Sequence, residues 1–440
     1  MPPGPRGPFI LRARGALRDP TGFLTRLSRR YGDVVRLRIG RHIAFLINDP
    51  ALIQFVLVER ADAFTKTSLT PATERLIGEA LFSSEGEKHD REKRAIQPLF
   101  RHERLERLVD TAVAVTEEAT SKFQEGEVLD AHEAMADLSL RVALAGVISV
   151  RREEEVQHIA RVLAGALKAY QRTLNPAGAL LDRLPLPTTQ LIEDSSQELE
   201  RIVDEAVAQR KAKPGTFGDV LDLLVQLRFE DGGEPAMSDL ELRHEALDLI
   251  IGSNETLGLA LTWSLHELAR SPSAQAQIAA QLSEVLNNRT PKLADTPRLT
   301  AARAAFNEAL RLHPPAWAFL RRAKAEVQVG GYHVPPGGLI LLSPYVTQHD
   351  PRFFPEPWVF DLARWEGSVR ASRPKLSYFP FGAGPRSCLG EPLATAEGTL
   401  ILATILRRFA LEPAGTKPTK EWALGLNPPG AVPIRIQARS

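Results

Sequence analysis

An alternation of apolar and polar residues near the start of the chain predicts a pair of β-strands. Residues 35–39 alternate between aliphatic and arginine side chains, and an apolar run at residues 43–47 follows a turn at Gly40-Arg41. After residue 325 strand signals return, with two adjacent glycines that separate apolar runs. The sequence therefore predicts β-rich portions at about residues 33–49 and 325–345.

A helical pattern dominates the chain between these portions, from about residue 50 to 313. The longest segments rich in Glu, Arg, Leu and Ala are residues 101–124, 195–213 and 238–270. Ser238 and Glu241 form a capping-box pattern at the start of the third segment. A last helix is predicted at about residues 392–409. The fold class is thus mainly α with a smaller β region, and because no repeat or linker divides the chain, residues 1–440 are predicted to form one domain.

Composition and charge exclude several classes of function. The chain has 440 residues, 43% of them hydrophobic and 25% charged, and a net charge of +1. Such a balanced chain has no overall field that would attract nucleic acid or anionic lipid, so we expect no nucleic-acid partner. A single cysteine, Cys388, rules out an intramolecular disulfide, a multi-cysteine zinc site and an all-cysteine iron–sulfur cluster.

No targeting segment is visible in the sequence. Residues 1–8 contain too much proline and glycine for a signal helix, and the apolar run behind them is only Phe9-Ile10-Leu11. The apolar run at residues 142–150 is well short of the roughly 20 residues that a membrane helix needs. We therefore expect a soluble, cytoplasmic protein without a transmembrane anchor.

The only cysteine lies in a glycine-rich loop, residues 381–390, directly before the predicted last helix. Glycines let a backbone approach a flat ligand closely, and a helix N-terminus next to a thiol lowers its pKa and favours the thiolate. The loop lacks the ending of a phosphate-binding loop and the third glycine of a dinucleotide-binding motif. A merely structural cysteine gains nothing from this setting. A nucleophilic cysteine stays open as an alternative, and it would need a histidine base.

The loop resembles the haem-binding signature of the cytochrome P450 family, Phe-x-x-Gly-x-Arg-x-Cys-x-Gly. The residues that match its fixed positions are Phe381, Gly384, Arg386, Cys388 and Gly390. The resemblance implies a single-domain cytochrome P450 fold with a long central helix that crosses over the haem. It also implies haem b with the Cys388 thiolate as the axial iron ligand. The other cofactor-binding residues implied in this loop are Phe381, Gly382, Arg386 and Gly390.

Poor helix formers interrupt the apolar centre of the segment 238–270. The run Gly252-Ser253-Asn254-Glu255-Thr256 disfavours a helix by on the order of 2 kcal/mol relative to alanine, before any burial of Glu255. This run indicates a site, and the alternative is a solvated patch on an exposed turn. The run is similar to the family's oxygen-activation motif, although Ser253 stands where the family usually has glycine. The resemblance implies that Glu255 and Thr256 are catalytic and deliver protons during the reaction with dioxygen.

Further stretches match the family in order and approximate spacing. On its own, an i,i+3 pair such as Glu308 and Arg311 is usually a surface ion pair. Its resemblance to the family's Glu-x-x-Arg helix instead implies a buried structural triad completed by Arg364. The residues implied as partners of the haem propionates are Arg386, Arg321, His89 and Lys93, the last at a position where the family usually has arginine.

By resemblance, the protein is a haem-thiolate monooxygenase that reductively activates dioxygen and inserts one oxygen atom, by hydroxylation or epoxidation, into an apolar small molecule. Fatty acids, terpenoids, steroids and aromatic natural products all fit. The implied pocket segments are residues 66–84, 167–184, 249–256, 316–320 and 424–427. They are mostly apolar and show no obvious acidic or guanidinium clamp for a charged substrate.

The 440 residues show no flavin, nicotinamide or iron–sulfur domain, so electrons are expected from a separate ferredoxin or flavodoxin with its reductase. Residues 91–104 are either a basic docking surface for that partner or a solvated face. The alternatives in function are a peroxide-driven peroxygenase and a haem protein that binds a ligand without turnover. In the peroxide-using fatty-acid branch of the family, an Arg and a Pro replace the acid–alcohol pair that Glu255 and Thr256 form here.

Overall fold

Helices make up most of the fold, which a computed structural model describes at residues 1–5, 19–39, 42–66, 77–100, 102–173, 186–227, 235–416, 421–422, 425–428 and 430–439. The helices are α1 (Pro20–Tyr31), α2 (Pro50–Gln54), α3 (Gly86–Ile96), α4 (His102–Ser121), α5 (Ala131–Ile148), α6 (Glu153–Thr173), α7 (Pro187–Ala212), α8 (Val220–Val225), α9 (Asp239–Ala269), α10 (Pro272–Leu286), α11 (Thr300–Leu312), α12 (Pro344–Gln348), α13 (Gly367–Ser372) and α14 (Glu391–Arg408). The strands are β1 (Val34–Ile39), β2 (His42–Ile47), β3 (Phe64–Lys66), β4 (Val128–Asp130), β5 (Phe319–Ala323), β6 (Val327–Val329), β7 (Tyr332–Val334), β8 (Leu339–Leu342), β9 (Phe409–Pro413), β10 (Glu421–Trp422), β11 (Leu426–Asn427) and β12 (Pro433–Ala438).

The predicted hairpin near the start of the chain is present as β1 and β2. The two strands pair antiparallel with Val34 opposite Ile47, and the predicted turn at residues 40–41 lies outside the described residues. β2 runs parallel to β8, and β5 and β3 complete a five-stranded sheet in the order β1-β2-β8-β5-β3. In the last pairing Lys66 lies directly opposite Arg321. The sheet thus brings together two parts of the chain that are far apart in sequence.

The long helix predicted at residues 238–270 is α9, which has 31 residues and is about 46 Å long. Its predicted capping box is confirmed: the Glu241 backbone N–H donates to Ser238 Oγ at 3.3 Å, and the Ser238 N–H donates to the Glu241 carboxylate at 2.8 Å. From Leu257 to Ala269 every side chain is buried. A helix covered on all sides in this way lies in the interior of the protein.

The main hydrophobic core joins α4, α5, α9, α10, α11 and α14 around side chains such as Leu261, Phe306 and Leu400. Removing a buried leucine from a core of this kind destabilises a protein by about 2–5 kcal/mol. This core fixes α9 against α14, which begins within one residue of its predicted start. Helix α9 carries the candidate catalytic residues, and α14 directly follows the cysteine loop.

Other predicted elements agree with the structure to within a few residues, except for one helix start. The segment 101–124 is α4, whereas the segment 195–213 is α7, which begins at Pro187 because proline is well suited to the first turn of a helix. Within the described residues, no helix combines the length and the apolar character needed to cross a bilayer. The assignment of the whole chain to one domain stays a prediction.

Candidate functional site

The glycine-rich loop before α14 approaches the rest of the fold through its backbone. Gly382 and Gly384 both have φ of +71°, a conformation that favours glycine. A Cβ at Gly384 would overlap the Leu57 carbonyl group, so the loop needs glycine there for space as well as for conformation. Phe381 accepts a hydrogen bond from the Cys388 N–H at 2.9 Å through its carbonyl oxygen, which closes the loop on itself.

The Cys388 sulfur is the chemical centre of this loop. The thiol is free and exposed to solvent. Burial raises its pKa, the backbone N–H of Gly390 lowers it, the charges of Glu391 and Asp248 raise it, and the Glu391 N–H lowers it. A sulfur that solvent reaches and that protein nevertheless desolvates lies in a concave site.

The predicted effect of the helix N-terminus on the thiol pKa is present but is not the largest effect. The two backbone donors at the start of α14 act in the expected direction, but the net shift is upward because desolvation of the thiolate is the largest effect. A cation at the sulfur would reverse this balance, since a metal-coordinated thiol is deprotonated outright. The arrangement therefore suits a metal ligand better than a free nucleophile.

A narrow open strip runs along α9. Gly252 and Thr256 are exposed, whereas Ile250 and Leu257 on neighbouring faces are buried. A Cβ added at Gly252 would meet no atom within 4 Å. The Thr256 hydroxyl donates to the Gly252 carbonyl at 2.6 Å. Because residues four apart stack along a helix, the two positions lie on one face.

Glu255 lies beside this strip and is half-buried. Desolvation raises the pKa of its carboxyl to about 7. A carboxyl with this pKa is present in both protonation states near neutral pH, as a proton-transfer group requires. The structure thus places Glu255 and Thr256 where the motif predicts, and most of the flanking α9 side chains are buried or half-buried, unlike those of a freely solvated turn.

A group of cations surrounds the edge of the sheet next to the loop. Arg321 is 9% exposed, and among the described residues its only hydrogen-bond acceptor is the adjacent Leu320 carbonyl at 2.9 Å. Burial, and then the charge of Arg386, lowers the pKa of Arg321 to about 10. Arg386 pairs with Glu85 at 2.9 Å. A buried guanidinium without its own carboxylate partner is suited to an anion from outside the chain.

His89 and Lys93 on α3 lie next to the same group. Burial lowers the pKa of the buried His89 imidazole, the hydrogen bond to Asp90 raises it, and the charges of Arg386 and Lys93 lower it. The Lys93 ammonium donates to the Pro385 carbonyl of the cysteine loop at 2.6 Å. The structure therefore brings together all four residues that the resemblance implies as propionate partners.

Lys66 is a further member of this group that the sequence did not single out. It lies opposite Arg321 in the sheet, and its backbone N–H donates to Glu85 at 2.8 Å. Like charges placed directly opposite each other in a sheet are unfavourable. Burial lowers the pKa of Lys66 to about 7, with the charge of Asp248 acting against this shift and those of Arg386 and Arg321 adding to it.

Two carboxyl groups on α9 also contact the strip and its surroundings. Glu245 accepts a hydrogen bond from the Leu81 N–H at 2.8 Å, and Asp248 accepts one from the Phe82 N–H at 3.3 Å. The expectation that the pocket segments show no obvious acidic or guanidinium clamp for a charged substrate stays a prediction. Asp248 comes one residue before the segment 249–256 that was assigned to the pocket, and its spacing of four from Gly252 is the signal that could have found it.

The predicted triad of Glu308, Arg311 and Arg364 is present and buried. Arg311 donates to both Glu308 oxygens, at 2.8 and 2.7 Å, and Arg364 Nε lies 3.3 Å from Glu308. Arg311 also donates to the Gln348 carbonyl at 2.9 Å, and the Gln348 side chain accepts from the Phe379 N–H at 3.2 Å. The triad thus connects α11 to the segment that leads into the cysteine loop.

Parts of the predicted pocket and docking surface lie outside the described residues. These are residues 67–76, 174–184 and 424 of the pocket segments and Arg101 of the docking segment. Within the docking segment, Arg91 is paired with Glu241, and the Lys93 ammonium donates one hydrogen bond to the Pro385 carbonyl of the cysteine loop.

A family model described as "Cytochrome P450" matches residues 1–433. The curated relatives include two proteins of Streptomyces melanosporofaciens. "Cyclooctatin synthase" is 33% identical over 94% of this chain and 91% of the relative, and "Cyclooctat-9-en-7-ol 5-monooxygenase" is 31% identical over 92% of this chain and 88% of the relative. "Pentalenene oxygenase" of Streptomyces avermitilis is 28% identical over 92% of this chain and 90% of the relative.

Solved structures match over the whole chain. The heme domain of "cytochrome P450DA" superimposes with a TM-score of 0.89 at 23% identity and covers 100% of this chain and 98% of the matched chain. "Retinoic acid bound cyanobacterial CYP120A1" gives a TM-score of 0.87 at 20% identity, covering 100% and 99%. At these identities the two structures show a shared fold.

Proposed function

This chain belongs to the cytochrome P450 family, and from that premise we propose that it hydroxylates or epoxidises a cyclic terpenoid with dioxygen and electrons from a separate protein. Family membership makes it a haem-thiolate monooxygenase. The terpenoid proposal is supported by relatives whose names refer to cyclooctatin, cyclooctat-9-en-7-ol and pentalenene. It is also supported by the mostly apolar segments that are assigned to the pocket.

One observation carries the proposal. The sole thiol of the chain, Cys388, is open to solvent at the start of α14. The open strip of α9 follows Asp248, whose charge acts on this thiol. A flat cofactor needs such a gap between a ligand atom on one side and a helix without projecting side chains on the other. The buried guanidinium of Arg321, which has no carboxylate partner among the residues that the structure describes, supplies the complement for an acidic group at the edge of that cofactor.

Bound at a cysteine thiolate, haem supplies the reductive activation of dioxygen and the transfer of one oxygen atom to substrate, while the other oxygen leaves as water. Cys388 would hold the iron, and Phe381, Gly382 and Gly390 would shape the loop around it. Arg321, Arg386, His89 and Lys93 would hold the propionates. The unfavourable position of Lys66 opposite Arg321 is relieved when an anion lies between the two cations.

Thr256 and Glu255 are proposed to move the protons that the reaction consumes. The Thr256 hydroxyl donates its own proton to the Gly252 carbonyl, so the lone pairs of Oγ1 remain able to accept from water in the open strip. Glu255 has a pKa of about 7 because it is desolvated, which lets it give up a proton near neutral pH and regain it from solvent.

Electrons are proposed to come from a ferredoxin or flavodoxin with its reductase. Exposed Arg94 is suited to an acidic partner, because it lies one residue after Lys93, which contacts the cysteine loop. Arg91 is engaged by Glu241 and does not contribute.

The decisive experiment measures two spectra and one stoichiometry on the purified holoprotein. We expect the reduced carbon monoxide complex to absorb at the wavelength typical of thiolate-ligated haem, and Cys388→Ser to lose that band. We expect cyclic terpenoids to shift the iron spin state, and product formation to follow electron supply.

Thr256→Ala is expected to lower the yield of product per electron pair, with Thr262→Ala, a buried threonine farther along α9, as the matched control. Full coupling in Thr256→Ala contradicts the proton-transfer role. Turnover with hydrogen peroxide that equals or exceeds electron-driven turnover would instead identify a peroxygenase.

A further inference from the structure

Asp248 lies at the N-terminal end of the open strip of α9. Asp248, Gly252 and Thr256 are spaced by four residues, so they follow one another along a single helix face. Gly252 and Thr256 are open, and Asp248 is half-buried. The charge of Asp248 acts on the Cys388 thiol, after the larger effects of burial, the Gly390 N–H and Glu391. The carboxyl therefore lies near enough to the Cys388 sulfur for its charge to act there.

The Asp248 carboxyl is poorly satisfied by its neighbours. Among the described residues it accepts one hydrogen bond, from the Phe82 N–H, and that bond is long at 3.3 Å. An ionised carboxylate has about four acceptor positions. Burial raises the pKa of Asp248, and the charge of Lys66 opposes this shift, so Lys66 favours the ionised form of the desolvated carboxyl.

The charges of Lys66 and Asp248 act on each other, but Lys66 also interacts with other groups. Its ammonium donates to the Phe82 carbonyl and lies 3.0 Å from the centre of the Phe82 ring. The charges of Arg386 and Arg321 also act on it. Asp248 and Lys66 thus both contact Phe82, between the cation group and the strip. Asp248 offers a hydrogen-bond acceptor there, and Lys66 offers a donor.

We propose that Asp248, with Lys66, is the specificity-determining residue that binds a hydroxyl group on the substrate, so that the preferred substrate is an alcohol rather than a pure hydrocarbon. An apolar molecule that covers this carboxylate leaves it without hydrogen bonds, whereas a hydroxyl donates to the carboxylate and accepts from the ammonium. The bound hydroxyl fixes one end of the molecule and directs a distant carbon toward the reaction centre beside the α9 strip. This inference rests on the proposed function, because it assumes a haem-thiolate site at Cys388.

Alkylimidazoles provide a test that does not depend on knowing the natural substrate. The imidazole nitrogen binds haem iron in place of water, and the chain extends into the pocket. We would titrate the holoprotein with 1-alkylimidazoles from butyl to dodecyl and with the same series carrying a terminal hydroxyl. The shift of the Soret band gives Kd for each pair.

At the chain length that reaches Asp248, the hydroxyl is expected to tighten binding about 10- to 100-fold, the range for a hydrogen bond to a charged group. Asp248→Leu should abolish this preference while binding the plain alkyl series at least as tightly. Asp248→Asn should retain part of it. Asp239→Asn, an exposed aspartate at the start of α9, should leave it unchanged.

The outcomes separate the two proposals. If no member of the wild-type series prefers the hydroxyl, or if Asp248→Leu keeps the preference, the role of Asp248 is overturned while the haem site stands. If no imidazole shifts the Soret band and the carbon monoxide complex lacks the thiolate band, the proposed function itself fails. Comparing ratios of Kd within each variant removes any difference in the amount of folded protein.

Discussion

The buried pair of Glu308 and Arg311 gives the sharpest test of the energetics, through the substitution Arg311→Met. Both side chains are completely inaccessible to solvent. Arg311 makes two hydrogen bonds to Glu308 and three to carbonyl oxygens. The carbonyls and distances are Gln348 at 2.9 Å, Pro357 at 2.7 Å and Val359 at 3.1 Å. Methionine keeps most of the volume of the stem and removes all five bonds.

The expected loss in the free energy of unfolding is about 3–5 kcal/mol, because the substitution leaves a buried carboxylate with an incomplete set of partners. Arg364 Nε at 3.3 Å and Trp365 Nε1 at 3.0 Å still contact Glu308, which places the expectation toward the lower end of that range. The double variant Glu308→Leu with Arg311→Met should recover only part of the loss. It removes the buried carboxylate, but it leaves Arg364 without that partner and the three carbonyl oxygens without their donor.

The assay is equilibrium denaturation by urea, followed by far-ultraviolet circular dichroism, with the shift of the midpoint converted at a common slope. The chain provides its own control in Glu198 and Arg201 on α7, which have the same i,i+3 spacing, with Arg201 53% exposed. Arg201→Met should change the midpoint little. A loss in Arg311→Met as small as in Arg201→Met would refute the reasoning.

Three further predictions concern the site and its support. The carboxyl of Glu255 loses its proton as the pH rises through its pKa of about 7, so the yield of product per electron pair should fall above that pH, and Glu255→Gln should give a low yield that does not vary with pH in the same assay. Burial raises the pKa of Glu397 to about 8, so the folded state holds a proton that the unfolded state releases near pH 4.5. The free energy of unfolding should therefore fall as the pH rises from about 4.5 to 8. In thermal melts recorded across that range, Glu397→Gln should remove this loss. Gly384→Ala should lower the haem content of the purified protein, because its Cβ overlaps the Leu57 carbonyl and its φ is +71°. Gly252→Ala, where a Cβ meets no atom, should keep the haem content and reduce the spin-state shift. Equal haem content in the two variants would contradict the role of the Gly384 backbone.

Those parts of the site that are contiguous in the chain could be predicted from the sequence alone. The cysteine loop and the start of α14 are local, and so is the capping box of Ser238 and Glu241 that begins α9. Glycines, caps and helix periodicity are short-range signals. The match of a ten-residue loop to a family motif uses the same kind of information.

Burial and desolvation could not be predicted in the same way, because they depend on the whole fold. Glu198–Arg201 and Glu308–Arg311 have the same spacing, yet the first pair is partly exposed and the second has no accessible surface. The net pKa shift of Cys388 is likewise set by how much protein surrounds the sulfur. Asp248 was missed because its significance comes from Phe82, to which only the folded chain brings it close.

The pairing of β3 with β5 has a consequence for how the protein is made. Thr65 on β3 and Arg322 on β5 share a hydrogen bond across 257 residues of sequence, and the neighbouring pair, Lys66 and Arg321, belongs to the proposed propionate site. Contacts of such long range form late, since the intervening chain must first be ordered. During synthesis from the N-terminus, β3 leaves the ribosome long before its partner strand exists. The proposed cofactor site also includes Cys388, so it is complete only when about nine tenths of the chain has been translated, and we expect haem capture to be a late event in folding.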